Sequence, residues 1–158
     1  MVMTQPTVQE KIDTAFMRQA LVLAEKAARA DEVPVGAVVV LNNKIIGRAH
    51  NRTINACDPS AHAEVLALRD AAKYTSNHRL PESTLYVTLE PCLMCCGCML
   101  QARVARVVYG VREPRTGAVV SVNEALADRA LMHHISVTEG VLSDECQVLL
   151  QRFFSQRR

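Results

Sequence analysis

Val8, Ile12, Phe16, Ala20, Leu23 and Ala27 recur at spacings of three and four, which predicts an amphipathic helix over residues 8–30 with one apolar stripe. Pro34 and Gly36 then open a valine-rich run over 35–41, the pattern of a strand buried on both faces. Asn42-Asn43 is a turn signal, and 44–49 reads as the returning strand of a hairpin. Residues 50–60 follow neither period and are predicted as a loop. Asp58-Pro59 pairs an N-cap residue with proline at the first helical position, predicting a helix from there to about Tyr74. Residues 84–89 alternate as a third strand, Glu90-Pro91 begins a short helix to about Ala102, and 104–111 is a fourth strand. Beyond a loop over 113–121, the pattern predicts a helix at 122–132, a short strand at 135–139 and an amphipathic helix at 143–154. This order predicts an α/β fold, a three-layer α/β/α sandwich with a central mixed sheet of about five strands.

Composition narrows the class. At 158 residues the chain sits near the ~150-residue prior for one domain, so 1–158 is expected to form a single domain. With 49% hydrophobic and 22% charged residues it is neither disordered nor fibrous. The net charge of +2 announces no general basic field, but charge is unevenly placed. Arg103, Arg106, Arg112 and Arg115 face only Glu113 between residues 101 and 115, and the tail 152–158 holds Arg152, Arg157 and Arg158 without an acid. The first thirty residues carry no apolar signal core, and no run approaches the ~18 apolar residues of a membrane span. A soluble, cytoplasmic protein with no membrane partner is expected.

Cysteine changes the picture more than charge does. Of six cysteines, Cys92, Cys95, Cys96 and Cys98 crowd into seven positions, which suits metal or thiol chemistry in a reducing compartment rather than a disulfide framework. Cys92 and Cys95 stand three apart, so one helix face can present both sulfurs to one metal, and a helix N-terminus favours the thiolate. His62 as third ligand completes a Cys₂His set that leaves zinc an open fourth position, as catalytic sites do. Glu64 then supplies a carboxylate to carry a proton beside an activated water. Together His62-Ala63-Glu64 and Pro91-Cys92-Leu93-Met94-Cys95 match the H-x-E…P-C-x-x-C pattern of zinc-dependent nucleobase deaminases. A non-catalytic zinc-stabilised nucleic-acid-binding module is the competing class, and a thiol redox protein the remote one. Cys96 and Cys98 read as apolar filler, and Cys57 and Cys146 as incidental thiols.

The sequence resembles the bacterial tRNA-specific adenosine deaminases. The likeness runs from Glu32-Val-Pro-Val-Gly-Ala through Asp58-Pro-Ser-Ala-His-Ala-Glu, Thr84-Leu-Tyr-Val-Thr-Leu-Glu-Pro-Cys, Arg106-Val-Val-Tyr-Gly and Thr116-Gly-Ala to the Phe153-Phe154 tail. It implies a cytidine deaminase-like fold, a homodimer, and one zinc ion per subunit on His62, Cys92 and Cys95. Glu64 would shuttle protons, the Ala63 N–H would face the oxygen added to the base, and Asn51 would hydrogen-bond the flipped base. Pro34 and Val35 would line its pocket, while Glu113, Arg115, His133, Phe153, Phe154, Arg157 and Arg158 would meet a tRNA anticodon stem-loop. His133 reads equally well as a structural hydrogen-bonding residue, and at least one ring of Phe153-Phe154 is expected to be buried in the apolar face of the last helix. The implied reaction is conversion of the wobble adenosine to inosine. The alternative within the superfamily is deamination of a free base, nucleoside or nucleotide of guanine or cytidine type.

Overall fold

The computed structural model describes residues 2–157. Helix α1 (Val8–Arg29) begins at a capping box: the Thr7 hydroxyl accepts from the Glu10 N–H at 3.1 Å, and the Glu10 carboxylate accepts from the Thr7 N–H at 2.8 Å. Strands β1 (Gly36–Leu41) and β2 (Lys44–His50) form the expected hairpin. Asn42 and Asn43 both take positive φ, 50° and 57°, the geometry that matches a two-residue turn to strand twist. Then follow α2 (Ala63–Thr75), β3 (Thr84–Leu89), α3 (Leu93–Gln101), β4 (Arg106–Val111), β5 (Ser136–Glu139) and α4 (Ser143–Ser155). The sheet runs β2-β1-β3-β4-β5, with β1 antiparallel to both neighbours and β3, β4 and β5 parallel. It is the mixed five-stranded sheet of the expected three-layer sandwich.

Successive strand residues point to opposite faces, so the central strands build two cores. Ala37, Val39, Leu85, Val87 and Val107 pack toward α2 and α3 with Ala67, Leu68, Cys96 and Met99. Val38, Val40, Tyr86 and Val108 pack toward α1 and α4 with Met17, Ala20, Leu21, Cys146 and Leu149. The α1 stripe is rotated from its expected register. The buried face is Asp13, Met17, Ala20, Leu21, Ala24 and Ala27, whereas Val8 is exposed. Small residues let α1 lie close on the sheet, and Asp13 is buried because the sheet supplies its partners.

Two expected helix features are corrected. The helix placed at 58 starts at Ala63, because the Asp58 carboxylate is used locally, accepting from the Ser60 N–H at 2.9 Å and the Ser60 hydroxyl at 2.7 Å. The helix predicted over 122–132 is a series of turns. Its backbone is satisfied elsewhere: Ala125 N–H donates to Ala118 O at 2.9 Å, and Asp128 caps its own turn through Ala130 N–H at 2.8 Å. No helix among the described residues is long and apolar enough to cross a membrane.

Candidate active site

Helices α2 and α3 follow β2 and β3, which run in the same direction, so both begin at the same end of the sheet, and each begins at a potential metal ligand. His62 is the N-cap residue of α2 and Cys92 the N-cap residue of α3, and neither side chain caps its own helix. For α2 the cap is supplied from a distance: Asn51, just past β2, accepts from the Ala63 N–H at 2.8 Å through Oδ1. The imidazole is thereby left free to face Cys92 and Cys95.

His62 Nδ1 lies 3.6 Å from Cys92 Sγ and 3.5 Å from Cys95 Sγ, and the sulfurs are 3.7 Å apart. A tetrahedral ion with bonds of ~2.3 Å to sulfur and ~2.1 Å to nitrogen sets its sulfurs about 3.8 Å apart and its nitrogen about 3.6 Å from each. The three donors therefore already have the spacing that a single metal ion imposes, and they are the one such group among the described residues. The protons are arranged to match. Hydrogen bonds from Cys95 and His62 hold the Cys92 thiol down to about 4 against the opposing effect of burial, while donation to Cys92 and burial push Cys95 up. Two converging helix N-termini favour that negative charge.

His62 and Cys92 open into a cleft of about 340 Å³ whose wall includes Val33, Val35, Asn51, Glu64, Glu113 and Arg115, with Cys95 buried behind them. The cleft lies at the carboxyl ends of the parallel strands β3 and β4, where open α/β sheets place their ligands. A larger groove of about 480 Å³ runs between α1 and α4, but it contains no metal-ligating cluster. Because His62 stands outside the helix, it and Glu64 both reach the cleft despite their spacing of two. Glu64 is 4% exposed, and burial lifts its carboxyl above the ordinary range despite the nearby His62 charge. A carboxyl raised in this way holds a proton more readily than an exposed one, which suits a group that takes and returns one.

Residues 12–158 match the MafB19-like deaminase family. The chain is 47% identical over 152 residues to the tRNA-specific adenosine deaminase of Haemophilus influenzae, covering 96% of this chain and 88% of that one. It is 40% identical to the protein of the same name from Streptococcus pyogenes serotype M1, covering 92% and 85%. The chain belongs to the tRNA-specific adenosine deaminase family. A solved structure from work on A-to-I editing by tRNA:A34 deaminases at the wobble position superposes on this deaminase with a TM-score of 0.84. That match has 42% identity and covers 87% of this chain and 99% of the other. A guanine deaminase from Nitrosomonas europaea gives 0.75 at 25% identity, covering 98% and 96%. The cytidine deaminase-like fold follows from these relations.

Several outer positions of the deaminase differ from expectation. Pro34 is buried and Val33 lines the cleft beside Val35, since alternate residues of an extended segment face opposite ways. The Ala63 N–H is not free to meet an incoming oxygen; it serves Asn51, which leaves the Asn51 amide nitrogen as the donor available to a base. His133 is not at the cleft. Its Nε2 donates to Val104 O at 2.6 Å, before the start of β4 and at the opposite end of that strand from the cleft. Phe154 lines the cleft and Phe153 is buried, with the Arg157 guanidinium 3.5 Å over its ring. Arg157 also pairs with Asp31 at 2.7 Å, and Arg158 lies outside the described residues.

Besides Asp13, two buried carboxylates near the cleft carry roles that their sequence context did not reveal. Glu32, fully buried, accepts from the Ile54 and Asn55 N–H groups at 3.0 and 2.9 Å, pinning the loop after Asn51. Glu90 does the same for the loop over 113–121. Both stand one or two residues from a proline at a strand end, an acid in an apolar context that could have marked them.

Proposed function

We propose that this chain is a single-domain, zinc-dependent enzyme that hydrolytically converts adenosine to inosine at the wobble position of a tRNA anticodon. The observation that carries it is the convergence of His62, Cys92 and Cys95 on one point beside Glu64, opening into a cleft rimmed by Glu113, Arg115 and Phe154. Two thiolates and an imidazole suit zinc, and three protein ligands leave it one open position. Bound there, zinc supplies the Lewis acidity that lowers the pKa of water toward ~7.

The chain's own residues do the rest. Val33 and Val35 give the base an apolar wall, and Asn51 offers its amide N–H to a ring acceptor while Oδ1 stays anchored on Ala63. Glu64 receives the proton released as water adds to C6 and delivers it to ring N1. It then carries the proton of the new C6 hydroxyl to the exocyclic nitrogen, so that C6=O forms as the C6–N bond breaks and ammonia leaves. Burial of Glu64 excludes bulk water from these transfers. Glu113 and Arg115 sit at the rim, where nucleotides flanking the reacting base would pass. The single-stranded loop of an anticodon lets a base leave its stack at lower cost than a duplex does.

The enzyme acts in the cytoplasm as a homodimer in this reading. Leu93 and Met94 on α3 are 61% and 39% exposed, and Val120 and Val122 are exposed as well, an apolar surface suited to a second copy. The deciding experiment offers the purified protein an anticodon stem-loop with a wobble adenosine, and separately free adenosine, cytidine and guanine. Inosine formed in the stem-loop alone is expected. Turnover of free guanine or cytidine with none on RNA would replace this reading with a small-substrate deaminase.

A further inference from the structure

Glu90 is a third carboxylate in the cleft wall beside Glu64 and Glu113, and its acceptor sites are already taken. Oε1 accepts from the Glu113 N–H at 3.1 Å and from the Ser121 hydroxyl. Oε2 accepts from the N–H groups of Val119, Val120 and Ser121 at 3.1, 2.9 and 3.0 Å. An ionised carboxylate has about four acceptor sites, so these five donors leave none for a substrate. All five donors come from the loop over 113–121, the segment that carries Glu113, Arg115 and Thr116 into the cleft. Gly117 presses against the same carboxylate so closely that a Cβ there would overlap it.

The residues after Glu90 fasten the loop from the other side. Ala118 N–H donates to Pro91 O at 2.9 Å, and Cys92 pairs with Gly117 in an isolated bridge. One short stretch, Glu90-Pro91-Cys92, thus holds both a metal-ligand position and the rim loop. We propose that Glu90 is a positioning residue for RNA: it fixes the 113–121 loop relative to the His62–Cys92–Cys95 group, so that Glu113 and Arg115 engage the nucleotides flanking the reacting base. This rests on the tRNA reading above. Glu90 itself touches no reacting atom.

Glu90→Gln turns an amide toward a ring of N–H donors. It is expected to raise KM for the wobble-adenosine stem-loop about tenfold, with kcat within about twofold and metal content unchanged. Arg115→Ala, costly in the wild type, should add little in the Glu90→Gln background, because the loop no longer presents Arg115; a general loss of stability would leave the two effects additive. Hydrogen exchange of the free protein should show lost protection at residues 119–121. An unchanged KM, full additivity, or unchanged exchange overturns the proposal. If wild type fails on the stem-loop, the tRNA reading fails while exchange still decides the role of Glu90. Should Glu90→Gln not fold, Ser121→Ala removes a single donor and carries the same cycle, with an expected KM rise of about threefold.

Discussion

His62 and Cys92 occupy the N-cap positions of α2 and α3, where Ser, Thr, Asp or Asn would ordinarily satisfy the first helical N–H groups. Using those positions for ligands costs local helix stability, and Asn51 offsets it for α2 by capping from beyond the helix. The same arrangement aims two positive helix ends at the sulfurs, which favours the Cys92 thiolate before any ion binds, with Cys95 as its hydrogen-bond donor. In the proposed reaction Glu64 transfers protons and is not one of the three donors that would hold the metal. Glu64→Ala should therefore retain stoichiometric metal, read by elemental analysis of the purified protein. It should lose at least about 100-fold in the single-turnover rate of inosine formation. A variant that lost its metal instead would make Glu64 part of the binding group.

At the scale of elements, α2 is the carrier of His62 and Glu64, and its height above the sheet is set by Gly47 of β2. A methyl group there would lie 2.7 Å from Ala71 N and nearer still to Ala67 O, both backbone atoms of α2 that cannot move alone. Gly47→Ala should cost about 1–3 kcal/mol, seen as a Tm lowered by several degrees, and should weaken metal binding by tilting the helix that carries His62. A variant with wild-type Tm and metal affinity would show that α2 is not seated by this contact. Elements whose signals are local were legible from the chain: the β1–β2 hairpin with its Asn42-Asn43 turn, the alternation of β3, and the amphipathic α4. The His62, Glu64, Cys92 and Cys95 group was legible too, because the chemistry of a metal site constrains residue types at short spacing. What failed depended on distant partners. The start of α2 was misplaced because its cap, Asn51, is twelve residues upstream. The turns at 122–132 read as a helix because tertiary hydrogen bonds, beginning with Glu90 on Val119, Val120 and Ser121, redirect that backbone. His133 was open between substrate contact and structural hydrogen bonding, and its bond to Val104 O, made only in the folded sheet, is the second.

Across the whole molecule, one buried ionic group ties the amino-terminal helix to the parallel half of the sheet. Asp13 of α1 accepts from Arg106 of β4 at 2.9 and 2.6 Å and from the Tyr86 hydroxyl of β3 at 2.8 Å, and Arg106 also donates to Thr138 of β5 at 2.8 Å. These partners lie 73 and 93 residues from Asp13, so the group is assembled only by the complete fold. Burial alone would raise the Asp13 carboxyl; hydrogen bonds from Arg106, Tyr86 and Gln9, with the Arg106 charge, outweigh it and hold the group below its ordinary value of 3.8. A carboxyl lowered by folding contributes stability that is complete above the unfolded value and disappears as pH falls through the folded one. Glu139, held to about 2 by hydrogen bonds from Arg112 and Tyr109, adds a more exposed contribution of the same sign. Stability should thus be flat with respect to these groups near neutrality and fall as pH drops below about 4. Asp13→Asn leaves Arg106 without its charge partner and should cost about 3 kcal/mol at pH 7. The gap between the variant and wild type should then narrow as pH falls from 4 toward 2, because protonation removes from the wild type what the substitution has already removed. Thermal melts across that range measure the gap directly, and one that stayed constant or widened would place the acid sensitivity of the fold elsewhere than on Asp13.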